Sequence, residues 1–217
     1  GVNAQSAAGV SSGAFYKAIE DTAAASLPKD YHIEWTGLSY QERQNAGQIV
    51  TLMGLALLFA YLFLVAQYES WTIPLSVMLS VLFAVMGALL GLELTGGDMS
   101  IYTQLGMVML IGLAGKNAIL MVEFAKTARE SGLSIIEAAK QGASIRFRAV
   151  MMTAWSFLFG VLPLVFATGA GSASRRAIGI TTFAGMLSAT LIGIFFIPFL
   201  FTLFETLREK FHAWRRS

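Results

Sequence analysis

Apolar residues in this chain gather into long unbroken runs rather than recurring at strand or surface-helix intervals. Five runs follow one another, from about Ile49 to Ala66, Ile73 to Leu92, Met99 to Ala125, Ala149 to Thr168 and Ala177 to Phe204. At about 1.5 Å of rise per residue, each can cross a hydrocarbon core of about 30 Å as a helix. The breaks carry turn chemistry: QYESW after the first run, TGGD after the second, Ser131 and Gly132 after the third, and TGAGSASRR after the fourth. Glycine and small polar residues are expected where helices stop and reverse. The pattern predicts a mainly α membrane protein with five transmembrane helices within residues 46–206.

The more polar stretches carry periodicities of their own. Ser11 to Leu27 (SSGAFYKAIEDTAAASL) predicts a short amphipathic helix, Pro28 to Asp30 a stop, and Tyr31 to Trp35 (YHIEW) a strand of alternating polarity. One helix and a strand or two cannot bury enough surface to fold alone, so residues 1–45 read as a short α/β remnant of a larger domain. Gly1 in place of methionine, with no signal peptide behind it, fits a piece of a longer polypeptide. Between the third and fourth runs, Ser134 and Glu137 form a capping box, and Leu133, Ile136, Ala139 and Ala143 recur at helical spacing. A surface amphipathic helix is expected at about 133–145, serving as a solvated connector with no catalytic role. Residues 207–217 form a basic tail.

Composition narrows the class. Of 217 residues, 56% are hydrophobic and 13% charged, against about a quarter charged in soluble domains. The net charge of +2 is spread among apolar runs, which argues against a nucleic-acid partner. Cysteine is absent, which removes disulfides, thiolate metal sites and cysteine nucleophiles. Neither histidine, His32 or His212, lies in an apolar run, and no nucleophile elbow or metal spacing appears, so no enzyme, cofactor or metal site is expected.

Charge also predicts orientation. Lys126, Arg129, Lys140, Arg146 and Arg148 share a side with Arg208, Lys210, Arg215 and Arg216, while the opposite loops hold only Arg175 and Arg176. The positive-inside rule puts the C-terminus in the cytoplasm and, after five crossings, the N-terminal segment outside, in the periplasm of a Gram-negative cell.

Lys116, near the centre of IYTQLGMVMLIGLAGKNAILMV, is the charge that demands explanation. A lysine at mid-membrane costs about 3 kcal/mol on insertion scales and persists where it faces protein and meets a partner. Glu69, Glu93, Asp98, Glu123 and Glu205 all lie near run ends. Glu123 is roughly 10 Å from Lys116 along the same helix, too far to pair. The partner is therefore expected in helices outside this chain that carry Asp or Glu. Asn117 adjoins the lysine, and Arg146 and Thr153, seven residues apart, share a helix face. On residue chemistry alone Arg146 reads equally as a cytoplasmic anchor, and Thr153 as a hydroxyl bonded to its own helix. Gly87 with Gly91, Ala114 with Ala118 and Gly185 with Ala189 repeat small-xxx-small spacing, which predicts close helix packing.

Several segments resemble one family. WTGLSYQER (from Trp35), YESWTIPLSVML (from Tyr68), GLAGKNAILMVEFAK (from Gly112), RFRAVMMT (from Arg146), GVLPLVFATGAGS (from Gly160) and FFIPFLF (from Phe195) are similar to the C-terminal portion of resistance-nodulation-division efflux pumps. The branch most similar is that of the hydrophobe/amphiphile exporters. The resemblance implies a twelve-helix transporter of which this chain is the eighth to twelfth helices, with residues 1–45 the end of a periplasmic porter domain. It implies an inner-membrane homotrimer that takes up protons, exports hydrophobic or amphiphilic drugs, and works with a periplasmic adaptor and an outer-membrane channel. Lys116, Arg146 and Thr153 would then belong to the proton relay, with Asn117 beside them, and paired aspartates on a missing helix would carry the protons. Gly115 stands where many members have alanine, and Ala149 where proline is usual, which puts a bend at that helix start in question. Two alternatives remain at this stage: a metal-ion exporter of the same superfamily, and a non-transporting membrane scaffold in which Lys116 is dispensable. Ten methionines scattered through the runs read as packing residues rather than metal ligands.

Overall fold

The computed structural model describes residues 4, 12–28, 30–37, 39–40 and 49–216. Helix α1 spans Ser12–Ser26, and five longer helices follow: α2 (Ile49–Tyr68), α3 (Ile73–Leu94), α4 (Ile101–Glu130), α5 (Ile135–Val165) and α6 (Ser172–Ser188). A π-helical turn, Ala189–Gly193, then carries the chain without a break into α7 (Ile194–Arg216). Among the described residues four stretches are long and apolar enough to cross a membrane: Ile73–Leu94, Ile101–Glu130, Ile135–Val165 and the continuous Ser172–Lys210. Gly54–Tyr68 is apolar but shorter.

Local chemistry sets the helix ends. After α2, Glu69 turns the chain with a φ of 49°, and Pro74 in the first turn of α3 supplies a fixed φ where no N–H partner is needed. Ser100 caps α4 by accepting from the Thr103 N–H at 3.3 Å. At α5 the capping box forms as its spacing predicts, with the Glu137 N–H donating to Ser134 Oγ at 3.3 Å and the Ser134 N–H to Glu137 Oε2 at 3.3 Å. Gly171, at φ 68°, opens α6 from a left-handed position that favours glycine.

Two expectations change. Residues 31–36, which include the expected strand Tyr31–Trp35, adopt no regular secondary structure. A strand needs a partner to satisfy its backbone, and no strand lies among the described residues to provide one. Tyr16 and Trp35 instead meet edge to face, with ring centroids 5.0 Å apart. The amphipathic turns expected at 133–145 are not a separate element but the start of α5, which runs straight through Ala149. Without a proline at 149, nothing there interrupts the backbone ladder. Within the WTGLSYQER segment, residues 38 and 41–43 lie outside the described residues.

The bundle forms around α6, which packs against α3, α4 and α5. Small residues make this possible. A Cβ on Gly87 would overlap Ser188, one on Gly91 would overlap Ala184, and one on Gly185 would overlap Leu110. Between α4 and α5, a Cβ on Gly142 would stand 2.6 Å from the Ala125 backbone nitrogen. The predicted small-xxx-small positions thus lie where helices touch, in agreement with close packing as the substitute for a hydrophobic driving force in lipid. Two apolar clusters fill the remaining space, one around Tyr68, Val77, Met121, Val122 and Phe201, the other around Ala88, Leu110, Ala114, Ala154 and Leu158.

Candidate functional site: the outward face of α4 and α5

Close approach of Gly142 to Ala125 fixes the register of the antiparallel pair α4 and α5. Lys116 lies nine residues before Ala125 and Met151 nine after Gly142, so Lys116 stands within about one turn of Thr153 along the bundle. Arg146, one turn beyond Gly142, lies nearer the end of the bundle that holds Lys126 and Glu130.

The side chains are disposed differently from one another. Around Lys116, Ala114, Gly115 and Ala118 are buried in the bundle, which turns the lysine itself outward, exposed. Among the described residues it has no hydrogen-bond or ion-pair partner. Asn117 is half-buried beside it. Thr153 is exposed, and its hydroxyl approaches the carbonyls of Ala149 at 3.1 Å and Val150 at 3.0 Å, the backbone bond that membrane-helix threonines make. Arg146 is half-buried, its guanidinium carbon 4.0 Å from the Phe124 ring centroid, and its Nε is buried without an acceptor. The structure therefore sets the four residues on neighbouring helices but joins none of them to another by a hydrogen bond or ion pair among the described residues.

Of the acids near this face, Glu123 is half-buried on α4 and makes no ion pair among the described residues, while others are engaged elsewhere. Glu205, 6% exposed, pairs with Arg208 at 3.2 Å. Glu130 pairs with Lys126 at 3.7 Å, and Glu209 with Arg129, whose other nitrogen donates to the Leu133 carbonyl at 2.8 Å. These contacts knit the α4–α5 turn to α7. Among the described residues there is no group of His, Cys, Asp or Glu that could hold a metal ion.

Two residues near this face escaped the sequence reading. Tyr68, read as part of the QYESW break and of the YESWTIPLSVML segment but given no role, is 1% exposed; its hydroxyl donates to the Ile119 carbonyl at 3.1 Å, and Lys126 Nζ lies 5.8 Å from its ring centroid. It ties α2 to the lysine-bearing helix. Phe124 drew no reading beyond its place in the third run and the GLAGKNAILMVEFAK segment, and no spacing rule marks a ring that will lie under an arginine from another helix.

The sequence model of the AcrB/AcrD/AcrF family matches residues 1–205. The chain is 43% identical over 184 residues to the toluene efflux pump membrane transporter TtgB of Pseudomonas putida, covering 85% of this chain and 18% of that protein. It is 43% identical over 208 residues to the multidrug resistance protein MdtF of Escherichia coli, covering 95% of this chain and 20% of that protein. To the multidrug export protein AcrF of Escherichia coli it is 41% identical over 203 residues, covering 93% and 20%. The chain thus spans about a fifth of the length of the curated relatives it matches. Membrane-transporter relatives and four helices of spanning length make it a multi-pass membrane protein.

Proposed function

The chain belongs to the AcrB/AcrD/AcrF family, and from that premise we propose that it is the C-terminal part of an inner-membrane transporter that exchanges protons for drugs. The observation that carries the reading is Lys116, exposed and unpartnered among the described residues midway along an apolar helix. An ammonium left in hydrocarbon costs about 3 kcal/mol, so this face is built to be covered by further helices that bring a carboxylate. Lys116 is the counter-charge of those acids, Arg146 and Thr153 are further members of the relay, and Asn117 supports the lysine.

In this reading α2 to α7 make five crossings, the eighth to twelfth of twelve, with the 20-residue α2 as the first. Residues 1–45 end a periplasmic porter domain. The side of α1 that bears Phe15, Ile19 and Ala23 borders an open cleft of about 470 Å³, as expected of a helix that packs on a larger domain. Residues 207–217 form a cytoplasmic tail. The assembled pump is a homotrimer with a periplasmic adaptor and an outer-membrane channel, and its cargo is hydrophobic or amphiphilic drugs.

Drug efflux by the full-length transporter, normalised to folded trimer in the membrane, tests the proposal. Lys116→Ala and Lys116→Met are expected to abolish proton-driven efflux while trimers still assemble, because removing one partner of a buried charge pair leaves the other uncompensated. Lys116→Arg is expected to rescue little, since a planar guanidinium does not replace a compact ammonium. If Lys116→Ala assembles and pumps near the wild-type rate, the chain acts as a scaffold.

A further inference from the structure

Arg146 is held in a manner that a relay role alone does not require. Its guanidinium lies over the face of Phe124, 4.0 Å from the ring centroid, while its Nε is buried with no acceptor. Glu123, next to Phe124 in sequence, makes no ion pair with it among the described residues. The backbone explains how the two meet. With Gly142 against Ala125, Arg146 stands one turn further along α5, and helical side chains lean toward the N-terminus of their own helix. The arginine therefore reaches back to Phe124, roughly 12 Å along α4 from Lys116 and away from the middle of the membrane.

The energetics of this position are lopsided. A buried N–H without an acceptor forfeits the hydration it had in water. The quadrupole of a phenyl ring attracts a cation and restores part of that loss, without neutralising the charge as a carboxylate would. The guanidinium is thus retained and yet ready to leave when a carboxylate is presented. We propose that Phe124 is a positioning residue: its ring face parks the Arg146 guanidinium on the cytoplasmic side of the relay, and each transport cycle draws the guanidinium off the ring toward a mid-membrane carboxylate and returns it. This assignment rests on the relay role proposed for Arg146.

The test replaces Phe124 in the full-length transporter, by site-specific incorporation, with mono-, di- and trifluorophenylalanine. Each fluorine withdraws electron density from the ring face while the side chain stays nearly the same size. Proton-driven dye efflux per folded trimer is expected to fall stepwise, to a roughly three- to thirtyfold loss with three fluorines, the span of a contact of this class. Phe124→Trp is expected to retain most activity and Phe124→Leu to match the trifluoro protein. A ring that merely fills space would give a flat series, and a flat or rising series overturns the assignment. Arg146→Ala, measured alongside, separates the two readings. If it pumps at the wild-type rate, the relay role of Arg146 and the parking role of Phe124 fall together. If it is silent while the fluorine series is flat, only Phe124 loses its role.

Discussion

Where α3 meets α6, the bundle is closed. Ser188 Oγ donates to the Phe83 carbonyl across the seam at 2.9 Å, and the buried hydroxyls of Ser76, Ser80, Thr181 and Thr182 donate to carbonyls of their own helices at 2.6 to 2.7 Å. Gly87, Gly91 and Gly185 let backbones approach until no methyl group would fit. On the outward face of α4 and α5 the rules reverse for the charged groups: Lys116 is exposed and Arg146 keeps a buried nitrogen without an acceptor among the described residues. One region has its hydroxyls satisfied from within, and the other carries charge that none of the described residues satisfies. In the function proposed above that difference separates scaffold from working surface, because unpaired charge in hydrocarbon is retained only where something else will meet it.

Substitutions that exchange the properties of the two regions sharpen the comparison. The largest effect is expected from Gly142→Leu, which forces a side chain against the Ala125 backbone. Overpacking typically costs about 1–3 kcal/mol and occasionally more, and here backbone rather than a flexible side-chain tip must give. Folded protein recovered from membranes is expected to fall to a small fraction of wild type, whereas recovery at wild-type levels would show that the α4–α5 seam yields easily. Substitutions on the outward face are expected to do the opposite, sparing assembly while impairing transport. Arg146→Ala is expected to lower efflux by orders of magnitude and Thr153→Ala by roughly fivefold, since a lost charge-assisted contact outweighs a lost hydroxyl bond worth about 1 kcal/mol. Efflux normalised to trimer yield reads this directly, and equal losses in yield and transport would move both residues into the scaffold class.

Much of this division is legible in the sequence. Long apolar runs announced the membrane helices because hydrocarbon requires about 20 apolar residues in a row, and the small-residue spacings at Gly87 and Gly91 announced a close seam. The capping box at Ser134 and Glu137 was equally plain, being local. The strand at Tyr31–Trp35 misled because alternation specifies a face but cannot supply a pairing edge. The continuity of α5 through Ala149 was less legible, because no local signal in residues 133–145 says whether the next run continues the same helix. Tyr68 and Phe124 were invisible for another reason. Their partners, the Ile119 carbonyl and the Arg146 guanidinium, come from other helices, and no spacing within one helix reports a contact across two.

The central claim is that Lys116 is the counter-charge of carboxylates brought by helices outside this chain, and titrating those carboxylates in the full-length transporter tests it most directly. A nearby ammonium favours their ionised form, so their pKa lies lower with Lys116 present than without it. Followed by the infrared carbonyl band of protonated carboxyl groups, Lys116→Met is expected to shift mid-membrane protonation to higher pH, so that the acids remain protonated at pH values where the wild type has released its protons. A carboxyl titration unchanged by Lys116→Met would contradict the account.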